Sequence, residues 1–332
     1  LSESKYVKVM HARDVFTKDN HIHYASKGVS ELFVGSDDID AFIESYMQNA
    51  LFIEDIQNSK NPEVLRAHID RIPDTALRAE AEELIDKLFP EKQDQGFDGI
   101  FAVSLETQKF IRKMINKLGM SREVYSIVKS SVMVAMDAIY HNTGLKNYLQ
   151  SMTSVREEYL TAHSVMLSNV SCWMATEIGW NTELTRYKLA LASLMHDITL
   201  NDERMARLHT VVDIAENSKT MHPEDILMVE RHPLDAEKLL RNLVEVPADV
   251  GTIIRQHHER PDGTGFPNHL QEPEILPLSV VFILSHEFVD FAIDRKDTSW
   301  TFQHYITHAL QTYNKGQFKK ILQQLASKIK TF

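Results

Sequence analysis

His257-His258-Glu259-Arg260-Pro261-Asp262-Gly263-Thr264-Gly265-Phe266-Pro267 is the stretch on which the reading of this chain turns. Two adjacent imidazoles and a carboxylate stand where an apolar helical pattern stops, and a turn-forming run follows at once. Asp262-Gly263 and the second glycine, Gly265, supply the positive φ that tight turns need. Taken alone, that run is turn chemistry. Consecutive residues on a helix point roughly 100° apart, so His257 and His258 could each serve a different ion.

Working outward, the same juxtaposition recurs. Eleven of the sixteen histidines lie between His163 and His308. His196-Asp197 closes an apolar helix that ends at Met195, His232 follows a helical pattern over 223–231, and His163 opens a helix running to Met174. A lone histidine at a helix end is ordinarily a cap or a satisfied core residue. Several of them, spaced through one half of a chain and accompanied by carboxylates, point to a shared site. Imidazole and carboxylate together suit iron, manganese and zinc. A carboxylate beside a histidine can bridge two ions, and two ions about 3.5–4 Å apart suit in-line attack on a phosphodiester.

Composition bounds the remainder. With 36 Lys and Arg against 47 Asp and Glu, the net charge is −11 over 332 residues. That balance argues against broad DNA binding, which needs a basic field. The single cysteine, Cys172, forms no internal disulfide, so a reducing, cytoplasmic setting is expected. No secretory signal is seen at the start, and the longest apolar run, 275–284, is about half of a membrane span and contains Pro277. Periodicity predicts a mainly α protein. Residues 1–60 read as a small α/β module with short strands near 6–10, 21–24 and 30–34 and a helix over 39–54. Residues 61–150 read as a helical connector, with Pro62 opening its first helix and a polar linker at 89–96. Residues 151–332 read as an all-α bundle, broken by a long polar stretch over 201–223 and a loop over 261–277.

On these residues the chain resembles the HD-GYP family. The run from His257 to Pro267 matches its long signature with Phe266 where Tyr is usual. Leu194-Met195-His196-Asp197-Ile198 resembles its HD motif, and the segment from Pro223 to Pro233 resembles the next metal-histidine segment. The likeness covers roughly residues 150–300. It implies an all-α, HD-type phosphodiesterase that hydrolyses cyclic di-GMP or a related nucleotide, with a hydroxide shared by two ions attacking phosphorus. Carried over position by position, it implies metal ligation by His163, His196, Asp197, His232, His257 and His258, with Asp197 as the bridging and catalytic carboxylate. The last family ligand falls on Glu287, with His286 as the alternative if the register slips by one, and Asp290 reads as a structural cap. Three-metal members carry an acid one turn before the first histidine; Tyr159 stands there, so two divalent ions are expected, iron first and manganese second.

Two departures alter the expectation. The usual His-Asp-Ile-Gly-Lys reads His196-Asp197-Ile198-Thr199-Leu200, so the lysine that steadies a substrate phosphate is absent. Arg204, Arg207 and Lys219 are the nearby replacements, and surface charges on the plainer reading. Phe266 lacks the tyrosine hydroxyl. The leading expectation is therefore a phosphodiesterase acting on a cyclic dinucleotide. The alternative is a weak or inactive signalling adaptor that binds a nucleotide or a partner such as a GGDEF-type diguanylate cyclase. Its contact would be the loop carrying Arg260, Asp262, Gly263, Gly265 and Phe266. The connector helices either relay a signal or pair with a second chain as a homodimer.

Overall fold

Asn61 accepts a hydrogen bond from Glu63 N at 2.9 Å and Pro62 fills the first helical position, so a helix starts where the punctuation requires. The structure, a computed structural model, describes residues 61–89, 97–140, 159–294 and 300–329. The expected α/β module of residues 1–60 and the linker beyond Phe89 lie outside the described residues, as does the end of the expected connector, residues 141–150.

Thirteen α-helices are described, and among the described residues there is no strand, only an isolated bridge between Asp262 and Gln271. In chain order they are α1 (Pro62–Ile69), α2 (Thr75–Leu88), α3 (Phe97–Leu118), α4 (Arg122–Tyr140), α5 (Tyr159–Glu177), α6 (Glu183–Met195), α7 (Glu203–Ala206), α8 (Val211–Asn217), α9 (Pro223–Leu240), α10 (Ala248–Gln256), α11 (Pro277–Ile293), α12 (Phe302–Thr312) and α13 (Gly316–Lys328). A short 3₁₀ turn, Glu272–Glu274, interrupts the loop before α11.

The helices α5 and α11 are buried almost all round, which is what an apolar helix without a polar face must be. They pack on each other, α6 lies along α5, and α10 bridges α6 and α11. The layer of α1 to α4 closes over this group through α3 on α5 and α4 on α6. One core runs through both layers, from Leu65 on α1 to Leu325 on α13. The apolar run at 275–284 is thus the first half of a buried helix, with Pro277 at its opening turn. No helix among the described residues is long and apolar enough to cross a membrane.

Two sequence expectations are corrected. The helix preceding His232 does not stop there: α9 continues through His232-Pro233 to Leu240. Pro233 has no N–H to give the carbonyl four residues back, and His232 Nδ1 takes that carbonyl, Val229 O, at 2.6 Å. The polar stretch over 201–223 is not plain loop. It folds into α7 and α8, capped by Asp202 and by a Thr210/Asp213 capping box. Met205, Leu208 and Ile214 from this segment bury themselves with Tyr159, Leu200, Val229 and Phe266 in a second, smaller apolar cluster.

Phe288 is fully buried on α11, with rings of Trp300, Phe302 and Tyr305 at 5.8, 5.2 and 4.8 Å. Phe288→Ala should cost about 3–5 kcal/mol in urea unfolding, whereas Val244→Ala, at a side chain 77% exposed, should change stability by under about 0.5 kcal/mol.

Candidate metal centre

Helix ends deliver the histidines. His196 caps α6 and His257 caps α10, where the last-turn carbonyls outrun their amide partners. His196 Nδ1 donates to Ser193 O at 2.8 Å and His257 Nδ1 to Ile254 O at 2.6 Å, the same i−3 bond that His232 makes beside Pro233. A carbonyl only accepts, so each Nδ1 carries the proton and each Nε2 presents a lone pair. Those lone pairs converge. His232 Nε2 and His257 Nε2 are 3.1 Å apart, and Asp197 places Oδ1 3.2 Å from His232 Nε2 and Oδ2 3.2 Å from His196 Nε2.

Asp197, His232, His257 and His258 each bring one donor atom within 4.8 Å of the others, as do His163, His196 and His286, and a third set of His209, His286 and Asp290. The first two sets are buried, with no residue more than 6% exposed. Asp290 Oδ1 accepts from His163 Nε2 at 3.0 Å and from the Tyr159 hydroxyl at 3.2 Å, while Oδ2 lies 3.0 Å from His286 Nδ1 and 2.9 Å from His209 Nδ1. Four buried polar atoms here have no hydrogen-bond partner: His163 Nδ1, His196 Nε2, His286 Nε2 and Asp197 Oδ1. Lone pairs facing one another and a carboxylate in a dry site repel unless a cation lies between them. The residues fit a metal centre on that count.

Titration runs the same way. Burial, then neighbouring imidazoles, push His257 and His258 far below the usual histidine range, and burial takes His286 down to about 4 against the pull of Asp290. These rings are neutral and ready to donate lone pairs. Burial would raise Asp290, but the imidazoles around it, His209 first, outweigh it and hold its carboxyl well below the ordinary range. Burial and Asp290 keep the Tyr159 phenol protonated.

Glu287, expected as the last ligand, faces away. Its Oε2 accepts from the Tyr313 hydroxyl at 3.1 Å and Oε1 lies 3.3 Å from His308 Nε2. A single residue is about 100° of helix rotation, and His286 and Asp290, one turn apart on α11, hold the inward face. Arg204 pairs with Asp202, Lys219 is exposed, and Arg207 lies over the Tyr159 ring at 3.9 Å while pairing with Glu203, so none of the three enters the cluster. The sequence reading missed His209, which the folded 203–217 segment brings to Asp290. It also missed Gln108 and Arg112 on α3, whose partners lie more than eighty residues away; no local pattern marks either.

The signature loop is a clamp. Glu259 is fully buried, and its two oxygens accept from Asn268 N at 2.7 Å and Leu270 N at 2.8 Å. Phe266 N donates back to His258 O at 3.1 Å, and the Phe266 ring stacks on His258 at 4.5 Å. Gly265 is required because a Cβ there would stand 2.4 Å from both His258 O and Arg260 N. Gly263, at φ +80°, makes the turn. Phe266 and Gly265 are buried, Arg260 is half-buried, and Asp262 is exposed.

A family model described as HD domain matches residues 147–317, just over half of the chain. A 3′3′-cGAMP-specific phosphodiesterase of Vibrio cholerae is 28% identical over 136 residues, covering 41% of this chain and 30% of that protein. A cyclic di-GMP phosphodiesterase of Pseudomonas aeruginosa is 30% identical over 142 residues, covering 43% and 32%. The chain thus spans about a third of the length of these curated relatives. The solved structure of an HDG"Y"P protein from Bdellovibrio bacteriovorus aligns with a TM-score of 0.56 at 18% identity, covering 75% of this chain and 79% of its own; that likeness is one of fold.

Glu259→Gln replaces one of two amide acceptors with a donor facing a buried N–H. Urea unfolding of the metal-free protein should show a loss of about 1–3 kcal/mol; wild-type stability would mean that the clamp carries no load.

Proposed function

The chain belongs to the HD-domain family and its His257–Pro267 run resembles the HD-GYP signature; on that footing we propose that it is a metal-dependent phosphodiesterase acting on a cyclic dinucleotide. The observation that carries the reading is the convergence of proton-free ring nitrogens on Asp197 in a dry pocket. The names of the two curated relatives support cyclic di-GMP and 3′3′-cGAMP as the substrates to test.

One ion would be held by the unpartnered nitrogens of His163, His196 and His286, and the other by His232, His257 and His258. Asp197 reaches both sets and would bridge. Donors of imidazole and carboxylate type suit iron or manganese. Two ions fit better than three, because the position one turn before His163 is the protonated Tyr159 phenol, which is spent on Asp290. When bound, such a pair polarises a phosphoryl oxygen and lowers the pKa of a water near it.

The chain's own residues do the rest. Asp290 accepts from His163 Nε2 and, at Oδ2, faces His286 Nδ1, so it turns the opposite nitrogen of each ring inward. The carbonyls of Ser193, Val229 and Ile254 set three of the other four rings, His196, His232 and His257, in the same way. The apolar cluster of Leu200, Met205, Leu208, Ile214 and Phe266 keeps bulk water off this side of the site, where electrostatic interactions are correspondingly stronger.

Protein loaded anaerobically with Fe(II) or Mn(II) should convert at least one of the two cyclic dinucleotides to its linear product, read by chromatography. Asp197→Asn should lower the metal content and cut turnover by about 10²-fold or more. Fully loaded protein that leaves every cyclic dinucleotide intact would overturn the activity, and less than one metal per chain would overturn the centre.

A further inference from the structure

The family segment begins at residue 147, yet the backbone that presents its central carboxylate is gripped from outside it. The helix α6 ends at Met195, and the chain turns through His196–Leu200, closed by Ile198 N to Met195 O at 3.2 Å and Leu200 N to Asp197 O at 3.0 Å. Into this turn comes α3. Arg112 donates through one guanidinium nitrogen to Asp197 O at 3.2 Å and through the other to Leu200 O, the two ends of the turn. One helical turn earlier, Gln108 Nε2 donates to Leu194 O at 2.9 Å. Positions i and i+4 of a helix share a face, so one face of α3 holds three carbonyls spaced along the segment that carries His196 and Asp197.

We infer that Arg112 is a positioning residue for the metal centre, setting the backbone angle at which Asp197 meets both histidine sets. The planar guanidinium directs its two N–H vectors in fixed relation, so it holds both carbonyls in one geometry; an ammonium has no such fork. A helix end alone would leave this turn free to rotate about Asp197, since its remaining closure is two turn bonds. Burial makes the guanidinium harder to charge and the Asp197 carboxylate opposes that, which keeps the cation where the carbonyls need it. The packing of α3 on α5 and of α4 on α6 anchors the clamp in the core shared by both layers. The geometry of the centre thereby depends on a layer that precedes the family segment.

The role rests on the metal-centre reading above, and Co(II) separates the two. Arg112→Met keeps the length and volume of the side chain while removing the fork. Ile85→Ala, at a buried site on α2, serves as a control that destabilises without touching the turn. Co(II) affinity is measured by chelator competition, the visible Co(II) spectrum reports the ligand geometry, and circular dichroism checks the fold. Arg112→Met is expected to bind Co(II) about 10- to 100-fold more weakly with an altered spectrum, while Ile85→Ala keeps the wild-type spectrum. Arg112→Lys, which restores a charge and a single donor, should fall between. A wild-type affinity and spectrum in Arg112→Met overturns the role, and so does an equal change in Ile85→Ala. If Arg112→Met does not fold, Arg112→Lys decides: an unaltered spectrum there overturns it. Wild-type protein that takes up no Co(II) removes the centre itself, and the positioning role with it.

Discussion

Three imidazoles give their Nδ1 protons to carbonyls three residues back, and most of the site follows from that commitment. The bonds from His196, His232 and His257 differ in origin. Two use the free acceptors of a helix end, and one uses the acceptor that Pro233 abandons within α9. The result is common to all three: a rigid ring with its lone pair turned inward. Buried nitrogens arranged this way oppose one another and Asp197, and the fold tolerates them because its most buried helices, α5 and α11, leave them no room to turn. A cation relieves the opposition, and its binding energy returns to the fold as stability.

The two departures from the family signature have one physical cause. Leu200 stands where a lysine is usual and Phe266 where a tyrosine is usual, and the two side chains meet in the same small cluster with Met205, Leu208 and Ile214. The segment 201–222 folds down over this corner of the site. An ammonium at position 200, which is fully buried, would be an unpaired charge in an apolar pocket, and a phenol at 266 would bury a hydroxyl against His258. Each substitution is what a dry environment demands.

Local signals in the sequence gave the helices well. Pro62 opens a helix as expected, and the His-Asp and His-His-Glu clusters fall at helix ends as the apolar periodicity implied, whereas the Thr210/Asp213 capping box lies in a stretch whose polarity reads as loop. The errors came where a single residue of register or a long-range contact decides. Glu287 and Asp290 differ by three positions on one helix, and only the packing of α11 against α5 tells which one turns toward His163. The continuation of α9 through Pro233 was illegible because proline ordinarily argues for a break, and the compensating bond comes from its neighbour's side chain. Arg112 carried no mark at all, since a solvated arginine on an amphipathic helix has the same sequence pattern.

Charge offers the proposed centre a way to act without the signature lysine. Two carboxylates, Asp197 and Asp290, against the two divalent ions of the proposed centre would leave the pocket cationic before any substrate enters, and Arg112 adds a half-buried positive charge behind the turn. A cyclic dinucleotide, the substrate proposed above, carries its negative charge on two phosphodiesters, and entry of one phosphate would offset part of that excess. In a site shielded by Leu200, Phe266 and the helices above them, that attraction is screened little by solvent. On the proposed reading the ions would take over the lysine's part in gripping phosphate, and position 200 serves as core.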